Sequence, residues 1–388
     1  MLTGRRALDA AGGSTVTKYV IRRVIQAIPV LFGITIVVYM ILLAAPGGPT
    51  ARFANNPRVT LEDREHFKKA WGLDQPIPVQ YCRWIGACNP DVDAKVFGIF
   101  PSPAAFIGPN GWPNILPEPI SGGTNGVLHG DFGVSVDSGE PVGPRIIRAA
   151  LPTLILASFA LVIWIGIAIL IGVYAAVRRY SLFDQVATVF AYVGYAMPTF
   201  WLGIMLIFFF SGPGLNILPA GGMTTTRISP PFGSNEYWAY FGHKPFEALV
   251  DIGRHLILPV ITLVVVNIAG DSRFVRASML EALSQDYVRT AKAKGLPGRS
   301  VTFKHALRNA LLPVVTNIGL EIPFLFTGAI VTETIFSWPG IGKLTIDSTR
   351  AFDYPTLMGL LLITSVLVVL ANLIADVTYA FVDPRIKF

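Results

Sequence analysis

Six stretches of this 388-residue chain are apolar enough and long enough to cross a membrane as helices. The hydrocarbon core of a bilayer is about 30 Å thick, so a helix needs about 20 apolar residues to span it. The fourth stretch is the shortest, and we extend it to Ala277 because Arg273 and Arg276 can snorkel to the membrane surface. Proline predicts a kink, as at Pro198. The predicted spans are residues 24–45, 151–177, 186–210, 256–277, 311–335 and 357–379.

Composition agrees with a membrane protein. Hydrophobic residues make up 52% of the chain and charged residues 14%, whereas soluble proteins carry about 25% charged residues. The predicted fold class is therefore an all-α integral membrane protein with six transmembrane helices and a large external insertion after the first. Two cysteines exclude a disulfide-rich scaffold, and five scattered histidines argue against a dedicated metal centre.

The distribution of Lys and Arg predicts the orientation of the spans. Six spans place both termini on one side, and that side carries 17 of the 31 Lys and Arg residues in about 80 positions. Positive residues concentrate in cytoplasmic segments, so both termini are predicted to be cytoplasmic. The first apolar run has 22 residues and exceeds the 7 to 15 of a signal peptide, so we expect the first helix to be retained.

These spans divide the chain into segments. Residues 1–23 form a cytoplasmic tail, 24–45 the first helix, 46–150 an external subdomain, 151–379 the membrane core and 380–388 a second cytoplasmic tail. The core includes an external loop at 213–255, predicted to be irregular, and a cytoplasmic loop at 271–310.

Cys82 and Cys88 both fall in the predicted external subdomain, at 46–150. A disulfide between them would close a short loop, and two free thiols are the alternative.

The sequence carries no recognisable catalytic motif. It contains neither H-E-x-x-H nor G-x-S-x-G, which would supply a metal site or a nucleophile. Residues 337–344 match a phosphate-binding P-loop only in part, because Ser337 replaces its first glycine and Leu344 its metal-binding hydroxyl. We therefore expect no enzyme activity and no cofactor bound by this chain. Transport would be powered by a partner or by an ion gradient.

The loop at 271–310 contains eight of the positive residues and predicts two short helices. Ser284 can cap a helix that runs to about Lys294, with Asp286 in its first turn, and Gly295 can end it in a left-handed conformation. Pro297 then opens a second helix, from about 299 to 311. Such a pair can dock a partner protein, or it can lie as a basic loop against anionic lipid. Binding to DNA is disfavoured because both helices are tied closely to membrane spans.

A family resemblance resolves this choice. The run Gln285-Asp286-Tyr287-Val288-Arg289-Thr290-Ala291-Lys292-Ala293-Lys294-Gly295-Leu296 resembles the coupling signature of ABC-importer permeases of the dipeptide/oligopeptide/nickel family. Further motifs that resemble this family follow in the same order along the chain. They are Gly72-Leu73-Asp74-Gln75-Pro76, Gly130-Asp131-Phe132-Gly133, Pro198-Thr199-Phe200-Trp201-Leu202-Gly203, Glu333-Thr334-Ile335-Phe336-Ser337-Trp338-Pro339-Gly340-Ile341-Gly342 and Asp383-Pro384-Arg385.

The resemblance implies one permease half of a type I ABC importer in a bacterial or archaeal inner membrane. Its expected partners are a second homologous permease, two cytoplasmic ATPases that bind ATP and Mg²⁺, an external solute-binding protein and membrane lipid, but no nucleic acid. The family signature maps onto Arg289, Thr290, Ala291 and Gly295, and Ala291 and Ala293 are expected to keep one face small enough for close approach of an ATPase. The implied coupling residues are Asp286, Tyr287, Arg289, Thr290, Ala291, Lys292 and Gly295.

Two alternatives stay open at this point. An ion-gradient-driven secondary carrier would show internal inverted repeats and an ion site at mid-membrane, and the sequence displays neither. The same importer class could carry oligosaccharide or nickel. Peptide is favoured over nickel because the spans contain no His or Met cluster.

Polar residues inside the spans are candidates for the translocation pathway, because charge within the membrane is costly and usually faces protein or water. Glu321 lies well inside the fifth span and Asn267 inside the fourth, with Asp271 at its cytoplasmic side. Glu321 either lines the pathway, where it would favour an amine-bearing solute, or pairs with a polar group of the fourth span. We expect Asp271 to pair with Arg273 or Arg276.

Overall fold

The computed structural model of the chain describes residues 2–44, 62, 65, 74–86, 95–96, 100–101, 126–212, 214–321, 323 and 329–382. The described part is built from helices. They are α1 (Leu2–Ala44), α2 (Ile77–Ile85), α3 (Val142–Val177), α4 (Leu182–Ala196), α5 (Thr199–Phe210), α6 (Asn235–His243), α7 (Pro245–Ser284), α8 (Asp286–Ala293), α9 (Leu307–Glu321), α10 (Ile330–Ile335), α11 (Ile341–Arg350) and α12 (Tyr354–Val382).

Shorter elements accompany these helices. A 3₁₀ turn covers Val127–His129, and two-residue strands β1 (Lys95–Val96) and β2 (Phe100–Pro101) pair antiparallel, with Lys95 opposite Pro101. A single α-turn, Gly298–Ser300, and a π-helical segment, Val301–Ala306, lead into α9. The prediction of an α-helical membrane protein is confirmed.

Among the described residues, four helices are long and apolar enough to cross a membrane by themselves. These spans are Ile21–Ile41, Val142–Val177, Pro245–Ser284 and Tyr354–Ala375. The helices α4 and α5 meet that test only together, and they are bent by 100° with respect to each other. The predicted fifth span, 311–335, includes residues outside the described part, so the count of six spans stays a prediction.

The 100° bend sits at the predicted kink. Met197 is extended, with ψ 123°, and Pro198 follows it as the N-cap of α5. A residue before proline is disfavoured in the helical region, and proline itself has no N–H to continue the ladder. The predicted span 186–210 is therefore two helices rather than one kinked helix.

Several helices extend beyond their apolar runs. Helix α1 begins at Leu2, inside the predicted tail 1–23, and α7 begins at Pro245, inside the loop predicted to be irregular at 213–255. That loop also contains α6, capped by the Ser234 hydroxyl, which accepts from the Tyr237 N–H at 3.0 Å. The irregular-loop prediction was wrong here, because hydropathy marks where a helix meets lipid and not where its backbone hydrogen bonds end.

The chain divides into two compact units, one of which comprises Ile28–Arg148 and Leu344–Val366. A buried carboxylate organises this unit. Asp353 is fully buried and accepts from Arg145 at 2.8 Å, from the Ser135 hydroxyl at 2.6 Å and from the Val136 N–H at 3.1 Å. These partners satisfy a charge that would otherwise be costly to bury.

Cys82 lies in the same unit, is buried on α2 and is disulfide-bonded. Its predicted partner, Cys88, lies outside the described residues.

The other unit comprises Met1–Ala27, Ala149–Lys343 and Leu367–Phe388. Its core surrounds α7, which buries residues along most of its length. Glycines allow neighbouring helices to approach closely. A Cβ on Gly172 of α3 would lie 2.7 Å from the Ser272 carbonyl oxygen of α7, and one on Gly194 of α4 would lie 3.0 Å from the Val265 carbonyl oxygen. Small residues at membrane helix contacts permit this kind of packing.

A second buried carboxylate, Glu333, joins three elements of this unit. It accepts from the Gly342 and Lys343 N–H groups, at 2.7 and 3.1 Å, and from the Thr153 hydroxyl at 2.9 Å. The two amides open α11, whose positive N-terminal dipole favours an anion. A Cβ on Gly340 would lie 2.4 Å from Glu333 Oε2. In the family-like motif at 333–342, the Glu333 carboxylate therefore occupies space that only a glycine at position 340 leaves open.

Candidate functional site

The segment predicted to couple to an ATPase, residues 285–296, begins with a sharp turn at the end of α7. Gln285 is extended, with φ −71° and ψ 152°, and it is the N-cap of α8. The prediction that Ser284 caps this helix was wrong. Ser284 is the last residue of α7, and its hydroxyl donates to the Glu281 carbonyl at 2.7 Å instead. Serine hydroxyls readily bond to the preceding turn in this way.

The end of α8 agrees with the prediction. Gly295 has φ +74°, in the left-handed region that favours glycine, and its N–H donates to the Lys292 carbonyl at 3.0 Å. Asp286 lies in the first turn and Lys292 in the last, each at the end of the helix dipole that favours its charge. The chain then enters Gly298–Ser300 and continues as helix to Glu321.

Two residues anchor α8 to the body of its own chain. Val288 and Ala291 are 0% and 5% exposed, and they share one cluster with residues of α7 and of the helix that follows. A spacing of three residues places both on one face of α8. The expectation for Ala291 was therefore wrong, because its side chain is packed against this chain, whereas Ala293 is exposed. The cluster includes Met279, Ala282, Val301, Ala306 and Ala310.

The opposite side of α8 is exposed. Tyr287 is 38% exposed, and Asp286, Arg289, Thr290 and Lys292 are exposed as well. The Arg289 guanidinium lies 3.6 Å from the Asp286 carboxylate, but both groups face solvent, so the pair contributes little to stability.

Two further hydrophobic side chains near α8, Leu296 and Phe303, are also exposed. We call these two residues and the exposed residues of α8 the outer face, which combines positively charged with apolar side chains. Such a surface is suited to binding a protein with acidic groups.

The structure places Asp271 away from the partners predicted for it. Its carboxylate accepts from the Trp164 indole at 2.9 Å and from the Asn317 amide at 3.1 Å. Residues two and five positions along a helix do not face the same side, which excludes Arg273 and Arg276. Arg276 instead donates twice to Asp184, at 2.7 and 2.8 Å.

The sequence reasoning missed Trp164 and Asn317 as partners of Asp271. A buried indole N–H needs an acceptor, which is the signal that could have identified Trp164.

The other two pathway candidates differ from each other. Asn267 donates to the Leu263 carbonyl at 2.8 Å, so its amide is engaged within α7. Glu321 is half-buried, lies one turn beyond Asn317 on α9, and is close enough to Asp271 for their charges to interact. A small apolar groove lies beside Asp271 and Asn317. Its other lining residues are Ile165, Ala168, Ile169, Phe274, Val275, Val314 and Ile318.

Comparison with known proteins is consistent with these features. A family model described as "Binding-protein-dependent transport system inner membrane component" matches residues 168–388. A second model, for the N-terminal part of such membrane components, matches residues 16–107.

Full-length relatives match as well. The oligopeptide transport system permease protein AppB of Bacillus subtilis (strain 168) is 39% identical over 95% of this chain and 99% of its own length. The dipeptide transport system permease protein DppB of Escherichia coli (strain K12) is 35% identical over 95% and 98%. The di/tripeptide transport system permease protein DppB of Pseudomonas aeruginosa is 34% identical over the same shares.

We predict that Gly295→Ala loosens α8. No atom lies within 4 Å of an added Cβ, so the only cost is the left-handed backbone, about 1 kcal/mol. Hydrogen–deuterium exchange of the amides of Asp286–Ala293 should accelerate about fivefold, which corresponds to that energy. Gly298→Ala is the matched control, since Gly298 has no positive φ and equally open space. Equal exchange in both variants would contradict the role given to Gly295.

Proposed function

We propose that this chain, which belongs to the family of binding-protein-dependent transport system inner membrane components, forms half of the translocation pathway of an ATP-driven peptide importer. The family match covers more than half of the chain, and the relatives are transport permeases aligned over 95% of it. The protein is thus a multi-pass membrane transport subunit and not an enzyme. Peptide is the proposed solute because the relatives described above are named as oligopeptide or dipeptide permeases.

The family works with ABC transporter partners such as an ATPase and a solute-binding protein. We assign to this chain a second homologous permease, two ATPases beneath the membrane and a binding protein outside it. The α8 segment and both termini lie on the cytoplasmic side in this arrangement. The excess of Lys and Arg in these segments supports that orientation.

The observation that carries the proposal is the two-sided construction of α8. Val288 and Ala291 fix the helix to the chain's own core, while Tyr287, Arg289 and Lys292 remain exposed. A partner that binds the outer face can therefore move α8 together with α7, because the buried cluster joins the two helices. ATP binding and hydrolysis in the partner then reorient the spans.

Glu321 is the pathway residue that we retain. Asp271 accepts hydrogen bonds from Trp164 and Asn317, and Asn267 donates one to a carbonyl of its own helix. These bonds support structural roles for both residues. For the Glu321 carboxylate, by contrast, no hydrogen bond or ion pair is found within the described part of the chain. An unfavourable charge inside a membrane helix is usually kept for function, and a carboxylate favours the amine of a solute.

The alternatives differ in their support. The ion-gradient carrier is not favoured, because the matching family and relatives are binding-protein-dependent permeases. Oligosaccharide and nickel stay open as alternative solutes, and uptake of each by the assembled transporter would distinguish them from peptide.

We predict that Arg289→Glu weakens ATPase binding. Reversal of one charge on the basic outer face removes an attraction and adds a repulsion, so ATPase recovered with the purified permease should fall at least about tenfold, or 1.4 kcal/mol. Arg227→Glu is the control, because Arg227 is also exposed and lies in the predicted external loop. Equal ATPase recovery with both variants would refute docking at α8.

We predict that Glu321→Gln changes solute preference. With the assembled transporter in vesicles, uptake of trialanine should fall severalfold relative to N-acetyl-trialanine, because only the first carries a free amine. Glu281→Gln, at an exposed position of α7, is the control. An equal fall for both peptides, or a loss of assembly, would assign Glu321 a structural role instead.

A further inference from the structure

A second charged group within the membrane helices has an arrangement that the proposed function leaves unexplained. The Arg273 guanidinium of α7 lies over two tyrosine rings of α4, with its Cζ 4.8 Å from the ring centre of Tyr192 and 5.4 Å from that of Tyr195. Its Nε donates to the carbonyl of Ala269 at 3.0 Å. Three contacts therefore fix the position of this group.

The direction of the Arg273 side chain contradicts the predicted snorkelling. An arginine that binds lipid phosphate extends toward the nearer membrane surface, here the Ser284 end of α7. Arg273 bonds to Ala269, which lies one turn farther from that end. Tyr192 and Tyr195 lie about 15 and 20 Å along α4 from its first residue, Leu182, by the rise of an α-helix. The guanidinium is thus directed into the span.

Arg273 also keeps most of its binding capacity unused. Its Nη atoms carry four N–H groups, and within the described part of the chain no carboxylate lies at ion-pair distance from them. Arg276, one turn farther along α7, is fully paired with Asp184. Because its Nη groups have no carboxylate partner among the described residues, this guanidinium can bind water or an anionic ligand.

The surroundings of Arg273 are open and suited to one kind of ligand. Tyr192 and Tyr195 are 57% and 66% exposed, so this surface is uncovered in the single chain. The rings lie beside a guanidinium that is itself partly exposed. The N–H groups of a guanidinium match the two oxygens of a carboxylate. Arg273 lies two positions from Asp271 and therefore faces away from the groove beside Asp271.

We propose that Arg273, held by Tyr192 and Tyr195, binds the free C-terminal carboxylate of a transported peptide within the translocation pathway. This inference rests on the proposed function, because a peptide solute supplies the carboxylate. The moving peptide contacts Glu321 and Arg273 at different stages, so the two residues need not act at the same moment. Tyr192 and Tyr195 are positioning residues that act through Arg273.

The test uses the complete transporter in vesicles, with binding protein, ATP and two probes, trialanine and trialanine C-terminal amide. Arg273→Gln should lower trialanine uptake at least tenfold and change amide uptake less than twofold, while binding-protein-stimulated ATP hydrolysis persists. Arg273→Lys, which keeps the charge, should give intermediate trialanine uptake. Arg179→Gln is the matched control, because Arg179 stacks on Tyr180 at 4.5 Å outside the helices.

A fall of the same size for both probes, or no fall, would overturn the proposal. If the unaltered transporter shows no ATP-dependent uptake of trialanine, the proposed function itself is refuted.

A labelling experiment tests the surroundings of Arg273 independently. An Arg273→Cys variant should react with a water-soluble methanethiosulfonate reagent, because a site in the translocation pathway is reached by water. Reaction only with a lipophilic maleimide would place the site against lipid, and no reaction would place it at a protein interface. Either result would exclude a carboxylate site in the pathway.

Discussion

Close contact between helix backbones at α7 is the constraint on which the rest of its unit depends. The helix α3 meets α7 at Gly172 and α4 meets it at Gly194, where a larger side chain would collide with carbonyl oxygens of α7. Polar side chains on these helices must therefore find partners at fixed positions, because a membrane supplies no water to replace them. The pairs of Asp271 with Trp164 and of Arg276 with Asp184 follow from this packing.

The helix α8 is packed against α7 in a similar way. The cluster that buries Val288 and Ala291 also contains Met279 of α7, which is fully buried. The helix α8 is thus attached through its inner side, and its polar outer face remains free for a partner. If α8 were held only by flexible loops, it could move without moving the spans. Because it is packed on α7, a displacement of α8 by a bound ATPase would also displace α7.

The sequence alone predicted much of the fold because apolar runs have a direct physical consequence in a membrane. It also predicted the turn at Gly295, since few residues other than glycine adopt its conformation readily. The helix ends were missed at Leu2 and Pro245 because hydropathy does not report backbone hydrogen bonding.

The choice of partners could not be predicted, because it depends on which helices pack together. Asp271 pairs across helices with Trp164 and Asn317, and Ala291 packs inward. Arg273 was predicted to extend to the membrane surface, but it lies over Tyr192 and Tyr195 of α4 instead. In each case a local rule was overruled by a contact between residues far apart in the chain.

A measurement of the energy source of transport tests the proposed function most directly. This chain should be reconstituted into vesicles with the second permease and the ATPases, and uptake of labelled trialanine should be measured with the binding protein outside and ATP inside. Uptake is expected to require both ATP and the binding protein and to persist when an ionophore collapses ion gradients. Gradient-driven uptake by this chain alone would contradict it.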